Sequence, residues 1–148
     1  MLMYHFIELS NKEKLPVCIV GGCHNGLFNV SIYKTYGPGN ESYWSHGLPC
    51  PECFNWWLTR KIGGGSIATI GCTALGYGYI DWIGLSAYLD YLFFWCYQTM
   101  GKHVLGETWY SAITEYIDTS WLDKLDAKTV MEWELFGDPS LMIGGIPE

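Results

Sequence analysis

The densest chemistry in the sequence is Gly22-Cys23-His24-Asn25-Gly26, which follows the apolar run Pro16 to Gly22 (PVCIVGG) directly. Active sites of open α/β sheets gather at the carboxyl ends of strands. A thiol at such an end, flanked by glycines, can be reached by the backbone of a substrate. The N–H groups of Cys23 and Gly22 can face a developing oxyanion. A helix starting near Leu27 would add a dipole that favours the thiolate. The same spacing also fits a small cysteine that only packs.

A thiol nucleophile needs a base, and the four histidines place it poorly. His24 is adjacent to Cys23, and adjacent side chains generally diverge. His46, in Ser45-His46-Gly47, falls in a loop and reads as an exposed polar residue. His103 follows a helix end, where it suits the negative pole of the dipole. His5 reads as a surface or helix-start residue. Cys50-Pro51-Glu52-Cys53 is a Cys-x-x-Cys pair, which redox chemistry or zinc could use. A long loop precedes it instead of a strand. Zinc wants four ligands, and Cys50, Cys53 and His46 make three. No metal site is therefore expected. Asp138, in Gly-Asp-Pro, reads as a turn cap.

The elements that must hold these groups read as alternating helices and strands. Phe6 to Lys14 is expected to be helical until Pro16 stops it. Pro16 to Gly22 and Ser66 to Gly71 (SIATIG) are short, β-branched and apolar, as strands buried on both faces are. Leu27 to Tyr33 is expected to form a short helical turn, and Tyr36 to Pro49 a loop. Pro51 to Ile62 is a helix with Pro51 in its first turn, ended by Gly63, Gly64 and Gly65. Cys72 to Ile83 is a loop rich in Gly and Tyr. Gly84 to Met100 is a helix with Leu85, Leu89, Leu92 and Cys96 on one face, capped by Gly101. Gly106 to Asp118 is another, with Trp109, Ile113, Tyr116 and Ile117 inward. Lys128 to Phe136 is read as a helix, Gly137 to Pro139 as a turn and Ser140 to Ile143 as a short closing strand. The sum is an α/β sandwich with two clear strands, few for a stable sheet.

Composition bounds what such a protein can do. A chain of 148 residues suits one domain, and its 49% hydrophobic and 16% charged residues exclude intrinsic disorder. The net charge of −7 leaves no basic footprint for nucleic acid. Arg60 is the only arginine, so clamping of phosphates is disfavoured. The longest apolar stretch, Trp82 to Met100, is interrupted by Asp90, and no membrane span is expected. Aromatics at 17% imply a large aromatic core, or a surface covered by something outside this chain. The six cysteines, at 18, 23, 50, 53, 72 and 96, do not form a small-scaffold disulfide pattern.

Three segments resemble the gingipain-type cysteine peptidases of the caspase-like group. PVCIVGGCHNGLF (Pro16 to Phe28) matches an apolar strand followed by Cys-x-Asn-Gly. PECFNWWLTRKIGGGSIATIGCT (Pro51 to Thr73) matches a helix opened by Cys-Phe and a Gly-led strand. LFGDPSLMIGG (Leu135 to Gly145) matches the Gly-Asp-Pro-Ser-Leu close of the catalytic domain. The resemblance implies a caspase-haemoglobinase-like three-layer sandwich with a mainly parallel sheet. It implies endopeptidase activity on a protein or peptide substrate, with Cys23 as nucleophile and no cofactor. It places the substrate pocket at Cys72 and Thr73 and in the loop beyond, with Tyr77, Tyr79 and Trp82 as walls.

The family carries its catalytic histidine upstream of the cysteine, in a His-Gly motif on the preceding strand. Only 22 residues precede Cys23, and His5 is followed by Phe6. Residues 1–148 are therefore expected to be the carboxyl-terminal part of one catalytic domain, whose N-terminal half is a missing partner, and to be inactive alone. Two rivals remain: a non-catalytic peptidase-like scaffold, and a thiol-disulfide oxidoreductase using Cys50 and Cys53. The resemblance implies export or the cell envelope, although Met1 to Ser10 carries no basic start and no cleavage site.

Overall fold

The computed structural model describes residues 5–30, 52–80 and 83–145. In chain order it forms α1 (His5–Glu8), β1 (Val17–Val20), α2 (Phe54–Arg60), β2 (Ala68–Cys72), α3 (Ser86–Gln98), α4 (Leu105–Thr119), α5 (Lys124–Glu132) and β3 (Trp133–Phe136). The strands make one sheet in the order β1-β2-β3. β1 runs parallel to β2, with Val17 beside Ala68 and Val20 beside Gly71. β3 runs antiparallel to β2, with Cys72 beside Trp133 and Thr69 beside Phe136.

Alternation along β2 divides its side chains between two helical layers. Ala68, Ile70 and Cys72 join Leu89, Leu92, Phe93 and Cys96 of α3 and Leu105, Trp109, Ala112 and Tyr116 of α4 in the main core. Thr69 and Gly71 face α2: the Thr69 and Thr59 hydroxyls are 3.0 Å apart, and a Cβ at Gly71 would strike the Asn55 amide. Helices therefore cover both faces of the sheet. The buried residues of α3 and α4 recur at three- and four-residue spacing, the stripe that an amphipathic helix turns to a core. Asp123 opens α5 with a capping box, its carboxylate accepting from the N–H groups of Leu125 and Asp126.

Several expectations need correction. The first helix ends at Glu8, well short of Lys14. No helix forms between Leu27 and Val30, where the chain makes turns. The α4 stripe leaves Ile117 exposed, because Tyr116 takes the inward position and the next residue lies about 100° round. The helix read over Lys128 to Phe136 gives way to strand at Trp133. There the chain pairs with the second edge of β2 and satisfies its main-chain groups, which outweighs local helical preference. Ser140 to Ile143 makes only an isolated bridge, Met142 to Val104. Among the described residues one strand pair is parallel and one antiparallel.

β1 is not buried on both faces either. All four of its residues are half-buried, whereas all five of β2 are buried. β1 stands at the sheet's edge, and among the described residues no strand pairs with its outer side.

Candidate active site

Cys23 emerges three residues beyond β1, and its side chain is exposed. The local sequence makes this possible. Gly22 has φ +144°, and a Cβ there would lie 2.7 Å from the Asn25 amide nitrogen. Only glycine takes this bend without strain. His24 follows at φ +58°, a left-handed conformation uncommon outside glycine. Together they fold residues 22–26 back over the end of β2.

Main-chain hydrogen bonds hold the turn on three sides. The His24 N–H donates to the Ala74 carbonyl at 2.7 Å, and the Gly26 N–H donates to the Cys72 carbonyl at 2.9 Å. From the other face of the sheet, the Asn55 N–H in the first turn of α2 donates to the Asn25 carbonyl at 2.9 Å. The Cys23 thiol donates to the Gly76 carbonyl at 3.5 Å. The nucleophile candidate is thus an exposed residue in a turn whose next three residues are held by main-chain hydrogen bonds.

The loop after β2 is tied down residue by residue. The Glu132 carbonyl accepts from both the N–H of Thr73, at 2.7 Å, and its hydroxyl, at 3.0 Å. Lys128 donates to the Leu75 carbonyl at 2.9 Å, and the Ser86 N–H donates to the Tyr77 carbonyl at 3.2 Å. Lys128 also pairs with Glu132, one turn on, and sits 5.0 Å from the centroid of the Tyr77 ring.

The expected pocket residues separate by exposure. The Cys72 side chain is fully buried, and its thiol donates to the Ala74 carbonyl at 3.3 Å; burial pushes that thiol up. Thr73 is half-buried and held by Glu132. Tyr77 and Tyr79 are exposed beyond them, 38% and 47%. Trp82, His46 and Cys50 lie outside the described residues. Cys53 is buried at the start of α2, and desolvation raises its thiol, the reverse of what an attacking redox cysteine needs.

Side-chain surroundings are described for two of the histidines, His24 and His103. Burial and then the Lys128 ammonium hold the His24 imidazole below its ordinary value, against the Glu132 carboxylate. Its ring therefore shares the electrostatic field of α5. His103 packs edge-on to Tyr97 at 5.2 Å, near the far end of α3. By the rise of the helix that is about 16 Å from Ser86, whose end borders the Cys23 turn. His5 opens α1.

Sequence reasoning missed four residues around the turn: Lys128, Glu132, Ser86 and Asp90. The Ser86 hydroxyl and one Asp90 carboxylate oxygen, a turn apart on α3, are buried without a hydrogen-bond partner among the described residues. Asp90 lies behind Gly21, whose added Cβ would be 4.0 Å from it. Burial alone raises its carboxyl to about 6. An acid on an otherwise apolar helix, and a Lys-Glu pair at four-residue spacing, were the available signals.

An exposed thiol at the carboxyl end of a parallel strand, inside a mesh of main-chain hydrogen bonds, suits a protein built around a nucleophilic cysteine. The family model for Peptidase family C25 matches residues 5–144, nearly the whole chain. The chain belongs to that family, the gingipain family of cysteine peptidases. Membership implies protein substrates. No curated protein and no solved structure matches the chain significantly. No described helix is long and apolar enough to cross a membrane.

Proposed function

We propose that this chain carries the nucleophile half of a gingipain-like endopeptidase site on a caspase-like sandwich. Cys23 attacks the carbonyl of a peptide bond, forms an acyl-enzyme and releases it to water. The Cys23 and Gly22 N–H groups face the oxyanion, and Cys72, Thr73, Tyr77, Tyr79 and Trp82 belong to the substrate-binding end of the sheet. One observation supports this reading: Cys23 is exposed, while the next three residues, His24, Asn25 and Gly26, are bonded through their main chain to Ala74, α2 and β2.

The base and leaving-group acid come from elsewhere. We take residues 1–148 as the carboxyl-terminal part of the catalytic domain, with the imidazole on a further strand beside β1. The half-buried apolar edge of β1 supports this, since neighbouring strands lie about 4.8 Å apart and can bring two strand ends into contact. Without that strand, hydrolysis of ordinary peptides is slow.

Iodoacetamide labelling with peptide mapping tests the nucleophile. Cys23 is expected to react well ahead of Cys18 and Cys96, whose thiols burial pushes up. Equal, slow labelling favours the scaffold reading. Brisk peptide hydrolysis by the 148-residue chain, lost in Cys23→Ala, would refute the missing base.

A further inference from the structure

Loop 73–77 is fixed by contacts to five different places. Thr73 is bound through its N–H and hydroxyl to Glu132. The Ala74 carbonyl takes the His24 N–H, the Gly76 carbonyl takes the Cys23 thiol and the Tyr77 carbonyl takes the Ser86 N–H. Four of these five residues are therefore tied to backbone groups or to the nucleophile itself. The Leu75 carbonyl is different, because its partner is the ammonium of a long side chain from α5.

That ammonium makes three contacts at once. It donates to Leu75, pairs with the Glu132 carboxylate and lies over the Tyr77 ring. Glu132 in turn stands 3.8 Å from the Cys72 thiol and offers its own carbonyl to Thr73. A cation over a Tyr face is attracted by the ring's quadrupole, and a charged donor makes a stronger bond to a carbonyl than a neutral one. From its middle and its end, α5 thus grips the loop at its start, its middle and its aromatic ring.

We propose that Lys128 is the positioning residue of the substrate-binding loop, setting the placement of Tyr77 against the Cys23 turn. It does not touch the reacting atoms. The proposal rests on the peptidase reading above and adds a residue that the reading does not contain. The charge fixes Leu75 and Tyr77 together, so losing it frees the wall while the Cys23 turn keeps its backbone bonds to β2 and α2. Peptide binding should suffer, and the intrinsic reactivity of the thiol should not.

The test is inactivation of the full chain by acetyl-Ala-Ala-Phe chloromethyl ketone, beside labelling by iodoacetamide. In both, the Cys23 thiolate forms a C–S bond to the methylene carbon and halide leaves; the thiol proton passes to buffer. Lys128→Met is expected to raise the half-saturating concentration of the peptidyl reagent about tenfold, with its limiting rate and the iodoacetamide rate within about twofold of wild type. Lys128→Arg should restore binding to within about threefold, because it keeps the charge over the ring. Lys128→Gln, which keeps a donor for Leu75 but no charge, should fall between and serves if the Met variant does not fold. An unchanged half-saturating concentration in a folded Met or Gln variant would overturn the proposal alone. So would an equal loss with both reagents, which marks a general structural role. Failure of both reagents to modify Cys23 in the wild type would remove the nucleophile reading, and this proposal with it.

Discussion

The thiol of Cys23 donates to the Gly76 main-chain oxygen at 3.5 Å, across the ends of two parallel strands. The contact joins the proposed nucleophile to the loop proposed to hold a peptide. It depends on a turn that few sequences can make, and on a loop tied at each residue from 73 to 77.

Gly22 is the position where the turn is most easily broken. Its φ of +144° strains any side chain, and a Cβ there would also push aside the Asn25 amide, 2.7 Å away. Gly22→Ala is expected to cost about 1–3 kcal/mol, read as a lower urea midpoint. Displacing the thiol should slow acylation of Cys23 about ten- to a hundredfold.

Asp90 makes stability depend on pH in an unusual direction. Its carboxyl stands at about 6 in the fold against an ordinary 3.8, with burial as the cause. The folded chain therefore holds this proton more tightly than the unfolded chain. The contribution is fully present below pH 3.8 and is lost as pH rises through about 6. Asp90→Asn has no charge to desolvate. It should raise stability at pH 7.5 by an amount on the order of 2–3 kcal/mol. The gain should shrink between about pH 6 and 4 when urea midpoints of the two proteins are compared.

Tyr116 is buried in the core with its hydroxyl donating to the Asp126 carboxylate at 2.5 Å. Asp126 also accepts from the Asp123 N–H, so the bond ties α4 to the start of α5. Tyr116→Phe keeps the ring and leaves Asp126 one partner. A loss of about 1.5–3 kcal/mol is expected by thermal or urea unfolding, the range for a hydrogen bond to a charged group.

The sequence announced some of this arrangement clearly. The apolar runs before Gly22 and Cys72 gave the parallel pair, because short β-branched segments bounded by glycine have few other uses. The Leu85, Leu89, Leu92 and Cys96 stripe gave α3, and all four residues are buried. Trp133 to Phe136 was illegible, since Trp-Glu-Leu-Phe fits neither a two-residue nor a helical period cleanly. Its strand character comes from the open edge of β2, a tertiary cause. The exposure of Cys23 also follows from Gly22 and His24 at positive φ, which local propensity does not reveal. Lys128 and Glu132 stand four residues apart, a spacing that any helical ion pair shares, so nothing in the sequence singles out the loop they hold.

Acylation by an activated ester tests the central claim most directly. A p-nitrophenyl ester of acetyl-Ala-Ala-Phe has a leaving group that departs without a proton, so the chain's own thiol suffices and no partner imidazole is required. The ester is mixed with the full chain, quenched in acid and mapped by mass spectrometry. The account predicts one acyl group, on Cys23, absent in Cys23→Ala. Acyl groups spread evenly over Cys18, Cys23 and Cys96, or a Cys23 left unmodified while the ester hydrolyses, would contradict it.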